Sequence, residues 1–394
     1  WIGLVGSEMC IRDRFSSNFK LGILGGGQLG KMLLYDAKRY DLHTKVMDSN
    51  NQAPCAKIAD EFIVGDITNY QDVINFGNRV DIITVEIEKI NTEALLDLEK
   101  KGKRVYPSAK TLQIIQNKSD QKDFYKNNNL PTSGFKNYSN LDELKGNFKK
   151  DNFQFPFVWK SSKFGYDGKG VKIIKDQDDL DFSYDDQCLA EEIVLIEKEL
   201  SVIVSRNVKG SVKCFPIVEM EFNEKSNLVE YVMCPANISS DVRKKAIEIA
   251  VKTAEKFNMV GLLAVELFLT KQGDILINEV APRPHNSGHH TIECCMTSQF
   301  DQHLRSILDL PLGETELIIP GIMVNLVGEN MIEGDVIYQN INDIFDIPGV
   351  FVHIYGKKKS RLNRKMGHIT IVNKDIDKAI EIGKKIKKKI KVIS

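Results

Sequence analysis

A chain of 394 residues with 54 basic and 54 acidic side chains has room for two or three domains and carries no net charge. That balance excludes the broad basic footprint of a nucleic-acid or membrane-surface binder, so any basic site must be local. Seven cysteines, none in a C-x-x-C pair, fit a reducing compartment with free thiols, and no apolar run approaches the roughly 20 residues that a membrane helix needs.

Residues 1–14 lack the basic start and long apolar centre of a signal peptide and read as a non-native, adapter-derived tail, left out of fold reasoning. Leu21–Leu24 then reads as a buried strand, followed by Gly25-Gly26-Gly27-Gln28-Leu29-Gly30 and a helix with Leu29, Met32, Leu33, Ala37 and Tyr40 on one face. A second strand, Thr44–Met47, ends in Asp48, and a third, Asp81–Val85, ends in Glu86 and Glu88. Strands alternating with helices imply a parallel sheet covered on both faces, an α/β class. The glycines match G-x-G-x-x-G and Asp48 stands where a ribose-binding acid would, but that motif alone is compatible with many ligands or none.

Asn117–Tyr125 reads as a short helix running into Asn-rich loop sequence, a boundary between domains. Phe155–Lys160 is a strand presenting a lysine, and Phe164–Val171 is a glycine-rich loop whose backbone N–H groups could approach phosphates; a plain hairpin is the alternative. Cys188–Val194 reads as a strand and linker where an adenine could bond backbone groups and Glu199 a ribose, or else as a solvated acidic edge.

Gly261–Phe268 carries Glu266, and Lys271–Asp274 reads as a hairpin turn into Ile275–Ile277 and the polar run Asn278 to Thr291. Two adjacent antiparallel strands would bring Glu266 and Glu279 together as a hard-cation site beside nucleotide phosphates, with Arg283 and His285 facing an anionic substrate. The spacing of His285, His289 and His290 matches no zinc pattern. After Pro320 come strands Ile322–Leu326 and Val350–Tyr355. The basic run Gly356 to His368 follows, suited to a phosphate monoester or a carboxylate, or simply solvated. Asp375–Ser394 reads as an amphipathic helix.

In this order, the glycine turn, the lysine strand, Gly165-Tyr166-Asp167-Gly168-Lys169-Gly170, Glu266 and the Asn278–Glu279 block resemble the ATP-grasp enzymes. The run Ala281-Pro282-Arg283-Pro284-His285-Asn286-Ser287-Gly288-His289, with Gln299–Arg305 and Arg364–His368, resembles in particular the N5-carboxyaminoimidazole ribonucleotide synthases. The resemblance covers about Lys20 to about Val372. It implies an N-terminal Rossmann-like domain (15–115), a central ATP-grasp domain (116–320) and a small C-terminal β-rich domain (321–394). It also implies an ATP-dependent carboxylation of aminoimidazole ribonucleotide with bicarbonate, through carboxyphosphate, in purine biosynthesis.

By the family's pattern, ATP is held by Lys118, Lys160, the loop Gly165 to Val171 (Gly165, Tyr166, Asp167, Gly168, Lys169, Gly170, Val171), Glu191, Glu192, Ile193, Val194, Glu199, Asn278 and Glu279. Magnesium is held by Glu266 and Glu279. The ribonucleotide is met by Glu86, Tyr166, Asp167, Arg283, His285, Asn286, Lys357 and Arg364, of which Arg283, His285, Asp167 and Lys357 are the catalytic set. The resemblance further implies a cytoplasmic homodimer acting on small molecules, without nucleic acid or membrane partners. Phe164 stands where many relatives have glycine, Pro284 replaces valine, and no histidine accompanies Pro216–Phe222.

Overall fold

The computed structural model describes residues 16–163 and 170–394. The expected N-terminal tail, residues 1–14, and five expected nucleotide contacts, Gly165, Tyr166, Asp167, Gly168 and Lys169, lie outside the described residues. Strands β1 (Lys20–Leu24), β2 (His43–Asp48), β3 (Glu61–Val64), β4 (Ile82–Val85) and β5 (Arg104–Tyr106) form a parallel sheet in the order β3-β2-β1-β4-β5. Successive side chains of β1 point to opposite faces, so Leu21 and Ile23 enter one core cluster and Leu24 the other, each roofed by helices. The helix Gln28–Arg39 buries Leu29, Met32, Leu33 and Ala37 as its spacing predicts. Tyr40, expected on that face, caps the helix, packs against the same core and donates its hydroxyl to Asp301.

A second, antiparallel sheet runs β6-β9-β7-β8, from β6 (Phe135–Tyr138), β7 (Phe157–Ser161), β8 (Val171–Ile174) and β9 (Cys188–Glu192). Alternation along β7 drives Phe157 and Trp159 into an aromatic core with Phe148 and Phe153, which leaves Lys160 on the opposite face.

Strands β10 (Ile196–Arg206), β11 (Val212–Cys214), β12 (Val218–Phe222), β13 (Val229–Cys234), β14 (Gly261–Thr270) and β15 (Ile275–Ala281) begin the largest sheet. The expected hairpin is present: β14 and β15 pair antiparallel, and the turn between them contains Gly273 at φ +87°, a left-handed conformation that glycine adopts without strain. The expected β-rich C-terminal region follows as β16 (Gly321–Val327), β17 (Gly334–Asp335), β18 (Ile337–Gln339), β19 (Val350–Ile354), β20 (Lys359–Ser360), β21 (Lys365–Val372) and β22 (Lys391–Ile393).

It is not a separate sheet. β16 pairs with β13, and the order β15-β14-β10-β12-β13-β16-β21-β19, with β11 beside β10, makes nine strands continuous across Pro320. The C-terminal helix spans Ile376–Lys389 and buries Ala379, Gly383 and Ile386. The expectation that it runs to Ser394 fails, because Lys391–Ile393 turns extended and pairs with β18. Among the described residues no helix is long and apolar enough to cross a membrane.

Candidate functional site

Three carboxylates rise from the large sheet. Ser201 on β10 pairs with Glu266 on β14, and Glu199, two residues earlier, shares that face. On β15 the register slips between Val265 and Leu267, so Asn278 and Glu279 together stand opposite Glu266. A bulge of this kind re-aims a side chain, and here it delivers Glu279 to the same corner as Glu266 and Glu199.

Lys118 answers them from the first position of the helix Lys118–Asn127. Asn117 caps that helix by accepting from the Ser119 and Asp120 amides, and the Lys118 amide donates to the Ser162 carbonyl at 2.8 Å, which fixes the helix start against β7. The Lys118 ammonium then meets Glu279 at 2.8 Å. Glu279 keeps 47% of its side-chain surface accessible, so a ligand can reach it. Lys118 holds Glu279 down at about 2, whereas burial and then repulsion from Glu279 push Glu266 up to about 8. Burial, followed by the same repulsion, raises Glu199 to about 7.

Two acids that resist ionisation beside a third that is ionised are a fit site for a divalent cation, which would relieve the repulsion and add its own charge. Magnesium needs only one or two carboxylates when substrate phosphates complete its shell, and the described residues contain no ready-made cluster of three or more ligands that would hold a metal alone. A measurable consequence follows from the sign of these shifts. The protonated forms of Glu199 and Glu266 favour the fold below the unfolded value of about 4.5, and that contribution is lost as pH rises through 7 and 8. Binding of a divalent cation at pH 7 is therefore expected to release protons, mainly from Glu266, seen as a binding enthalpy that changes with the buffer's ionisation enthalpy; the same enthalpy in every buffer would mean that no cation binds beside Glu266.

On the smaller sheet Lys160 meets Glu191 at 3.0 Å. Glu191, expected beside the nucleotide, is 4% exposed and fully engaged with protein: it also pairs with Lys122 at 3.1 Å and accepts from the Ser133 hydroxyl at 2.9 Å. Glu192 closes β9, and Ile193 and Val194 run in the connection to β10, with backbone groups available as a linker. Val171 opens β8 opposite Lys160. A cleft of about 300 Å³ beside β10 and β12 is lined by Glu199, Lys198, Glu219 and Phe222, so an aromatic ring stands in the region where the sequence lacks a histidine.

The acceptor side follows β15. Arg283 meets Glu88 at 2.7 Å and donates to the Pro284 carbonyl, while its buried Nε has no partner among the described residues. His285 Nδ1 lies 2.9 Å from the Ser287 hydroxyl and 3.4 Å from the Ser287 amide, and its Nε2 lies 3.6 Å from Glu266. Burial, and then Arg283, hold His285 down at about 3, so the imidazole is neutral at physiological pH. Its main chain is clamped both ways by the Gln299 carboxamide at 2.8 Å.

Asn286, expected to face the ribonucleotide, exchanges two 2.9 Å hydrogen bonds with Asn325 of β16 and is buried there. Glu86, also expected at the substrate, accepts instead from the amides of Gly27, Leu29 and Gly30 at the start of the helix Gln28–Arg39. Asp48 accepts from the Gly26 amide at 2.8 Å. A Cβ on Gly27 would lie 2.3 Å from the Glu86 carboxylate, so glycine is required for this approach. The chain's own acids thus occupy the turn in which a dinucleotide's pyrophosphate would lie. Of the two glutamates, Glu88 is the one that joins Arg283.

Lys357 donates to the Lys365 carbonyl at 2.7 Å and Arg364 to the Lys359 carbonyl at 2.7 Å, which folds the basic run back on itself. Lys31, which sequence reasoning passed over, pins this region to the N-terminal unit by donating to the Ile354 and Tyr355 carbonyls. His289 stacks on His368, and His368 on His353, with ring centroids 4.6 and 4.3 Å apart. Both rings are buried, and that burial drives His289 and His368 far below the usual imidazole range, so they pack as neutral core groups.

Comparison with known proteins agrees in order and extent. Residues 19–116 match the ribonucleotide synthetase preATP-grasp domain, 123–300 the ATP-grasp domain and 321–382 the phosphoribosylaminoimidazole carboxylase C-terminal domain. The N5-carboxyaminoimidazole ribonucleotide synthase of Bacillus subtilis is 36% identical over 368 residues, covering 92% of this chain and 93% of that protein. The chloroplastic phosphoribosylaminoimidazole carboxylase of Vigna aconitifolia is 39% identical over 90% of this chain, which spans 64% of that longer protein. The solved N5-carboxyaminoimidazole ribonucleotide synthetase of Thermotoga maritima superposes with a TM-score of 0.88 at 42% identity, over 95% of this chain and 99% of its own. That of Aspergillus clavatus in complex with ADP and 5-aminoimidazole ribonucleotide gives 0.82 at 31% identity, over 93% and 99%.

Proposed function

This chain belongs to the N5-carboxyaminoimidazole ribonucleotide synthase family of ATP-grasp ligases, and we propose that its reaction runs through carboxyphosphate, with ATP and magnesium at the acidic corner and the ribonucleotide at Arg283. It converts aminoimidazole ribonucleotide to N5-carboxyaminoimidazole ribonucleotide with ATP, a step of purine biosynthesis. The observation that carries the detailed reading is contiguity. Lys118 meets Glu279, the acids Glu279, Glu266 and Glu199 repel one another, and Glu266 lies 3.6 Å from His285, two residues beyond Arg283. Donor and acceptor groups therefore share one corner of one sheet.

On this reading Lys118 and Lys160 hold the phosphate chain, Glu192 to Val194 and Glu199 hold the nucleoside end, Glu191 serves by positioning Lys160, and the glycine-rich run Gly165 to Val171 binds the phosphates. Glu266 and Glu279, with Asn278 beside them, hold magnesium, which supplies charge neutralisation at the transferring phosphoryl group. A bicarbonate oxygen attacks the γ-phosphorus, the bond to the β-phosphate oxygen breaks, and ADP leaves beside Lys118. The N5 amine then bonds to the carboxyl carbon, the bond from that carbon to the phosphate oxygen breaks, and the departing phosphate carries away the proton that the amine loses.

Arg283 and Lys357, with Arg364, draw in the anionic acceptor, His285 orients it as a neutral imidazole, and Asp167 completes the catalytic set. An acyl phosphate hydrolyses in water, so these groups must also keep the corner dry. The protein is expected to release phosphate from ATP only when aminoimidazole ribonucleotide and bicarbonate are present together. Equal release without the ribonucleotide, measured in a coupled phosphate assay, would overturn the assignment.

A further inference from the structure

We propose that Lys122, whose ammonium is taken up by protein groups, is a positioning residue for the nucleotide phosphates, because it shares Glu191 with Lys160 and so leaves Lys160 with positive charge to offer. The inference rests on the reading above in one respect, that Lys160 faces the phosphate chain.

Lys118 and Lys122 are one helical turn apart, so they emerge on the same face of the helix Lys118–Asn127. Lys118 reaches Glu279 on the large sheet, and Lys122 reaches Glu191 on the small one. The Lys122 side chain is 3% exposed, and its ammonium is saturated by the Thr132 hydroxyl at 2.7 Å, the Ser133 hydroxyl at 3.0 Å and Glu191 at 3.1 Å. It has no free donor for a substrate, which rules out a catalytic role. Thr132 in turn donates to the Ile277 carbonyl of β15, so the group is tied to the strand that carries Glu279.

The two oxygens of Glu191 are divided. Oε2 takes Lys122 and Ser133, and Oε1 faces Lys160 at 3.0 Å. One carboxylate between two lysines leaves a net charge of about +1 in a place where water screens little, and charge there acts over several ångströms. With Lys122 gone, Glu191 and Lys160 would close into a neutral, self-satisfied pair, and Lys160 would be held by both oxygens. Burial lowers Lys122 to about 8; Glu191 opposes that depression, and Lys160 and Lys118 add to it, so the charge sits there at a local cost. A buried cation kept under such strain is not what stability alone would select, since an apolar side chain of similar volume often does as well or better.

The test compares Lys122→Met, Lys122→Arg and Lys160→Met by titration calorimetry with Mg·ADP and with adenosine. Lys122→Met is expected to weaken Mg·ADP binding about tenfold and to leave adenosine binding and the KM for the ribonucleotide unchanged, while Lys122→Arg recovers most of the loss. Equal weakening of ADP and adenosine, or no weakening of ADP at all, overturns the role of Lys122. Should Lys160→Met itself leave Mg·ADP binding intact, the placement of phosphates at Lys160 falls instead.

Discussion

Glu279→Gln is expected to lower the rate of phosphate release by about 10³-fold, with little change in thermal stability. The substitution keeps the shape of the side chain but removes the charge that Lys118 meets at 2.8 Å. Two catalytic contributions go together, the anchoring of Lys118 and one proposed ligand of the cation, and removal of a single preorganised electrostatic group costs about 10² to 10³ in other enzymes. Stability holds because Glu279 is also the main repulsive neighbour of Glu266 and Glu199, so its loss lets both acids ionise more easily and offsets the broken ion pair. Steady-state kinetics with a parallel melting curve check this. A variant within tenfold of the parent rate would mean that the cation and phosphates sit elsewhere.

Arg283→Ala is expected to raise the KM for the ribonucleotide by about 10²-fold while the KM for ATP changes less than about threefold, an effect of roughly 2.7 kcal/mol on one substrate alone. Arg283 is 17% exposed, and its two terminal nitrogens each carry a second N–H beyond those aimed at Glu88 and the Pro284 carbonyl, so its guanidinium has donor capacity to spare. Losing it also strands Glu88 as a half-buried anion facing an anionic ligand. The double substitution Arg283→Ala with Glu88→Gln separates the two effects. Recovery of ribonucleotide affinity in the double variant would show that Arg283 serves only to neutralise Glu88, and a KM that stays high supports direct recognition. An effect mainly on ATP would contradict the placement of the acceptor.

Much of this site can be read in one dimension because its parts are local. The turn Gln272-Gly273-Asp274 predicts a hairpin, and a hairpin alone brings Glu266 near Glu279; the bulge that completes their convergence leaves no mark in residue type. The strand, glycine turn and helix at the N-terminus are likewise legible, because hydrophobic spacing changes period there. What lies in the turn is not, since Glu86 arrives from a strand 56 to 59 residues away and reads in sequence only as an acid at a strand end.

Lys122 is the sharpest case. In Lys118-Ser119-Asp120-Gln121-Lys122 it looks like a solvated helix residue, and only the tertiary arrangement buries it. The continuity of the sheet through Pro320 was hidden for the same reason, because strand order is a long-range property. The helix expected to reach Ser394 stops at Lys389, since pairing with β18 wins over helical spacing at the chain's end.

The Asn286–Asn325 pair joins the loop after β15 to β16, five strand steps away in the sheet order. At about 4.8 Å per strand a flat sheet would hold them about 24 Å apart, so the sheet must curl until its two regions touch. Curling fixes the gap between phosphate-holding and acceptor-holding side chains when the chain folds, before any substrate arrives. For an intermediate that water destroys, that is an advantage in effective molarity: the search for a reaction partner is completed in advance, and the entropy of bringing the two together is settled by folding and not by each turnover.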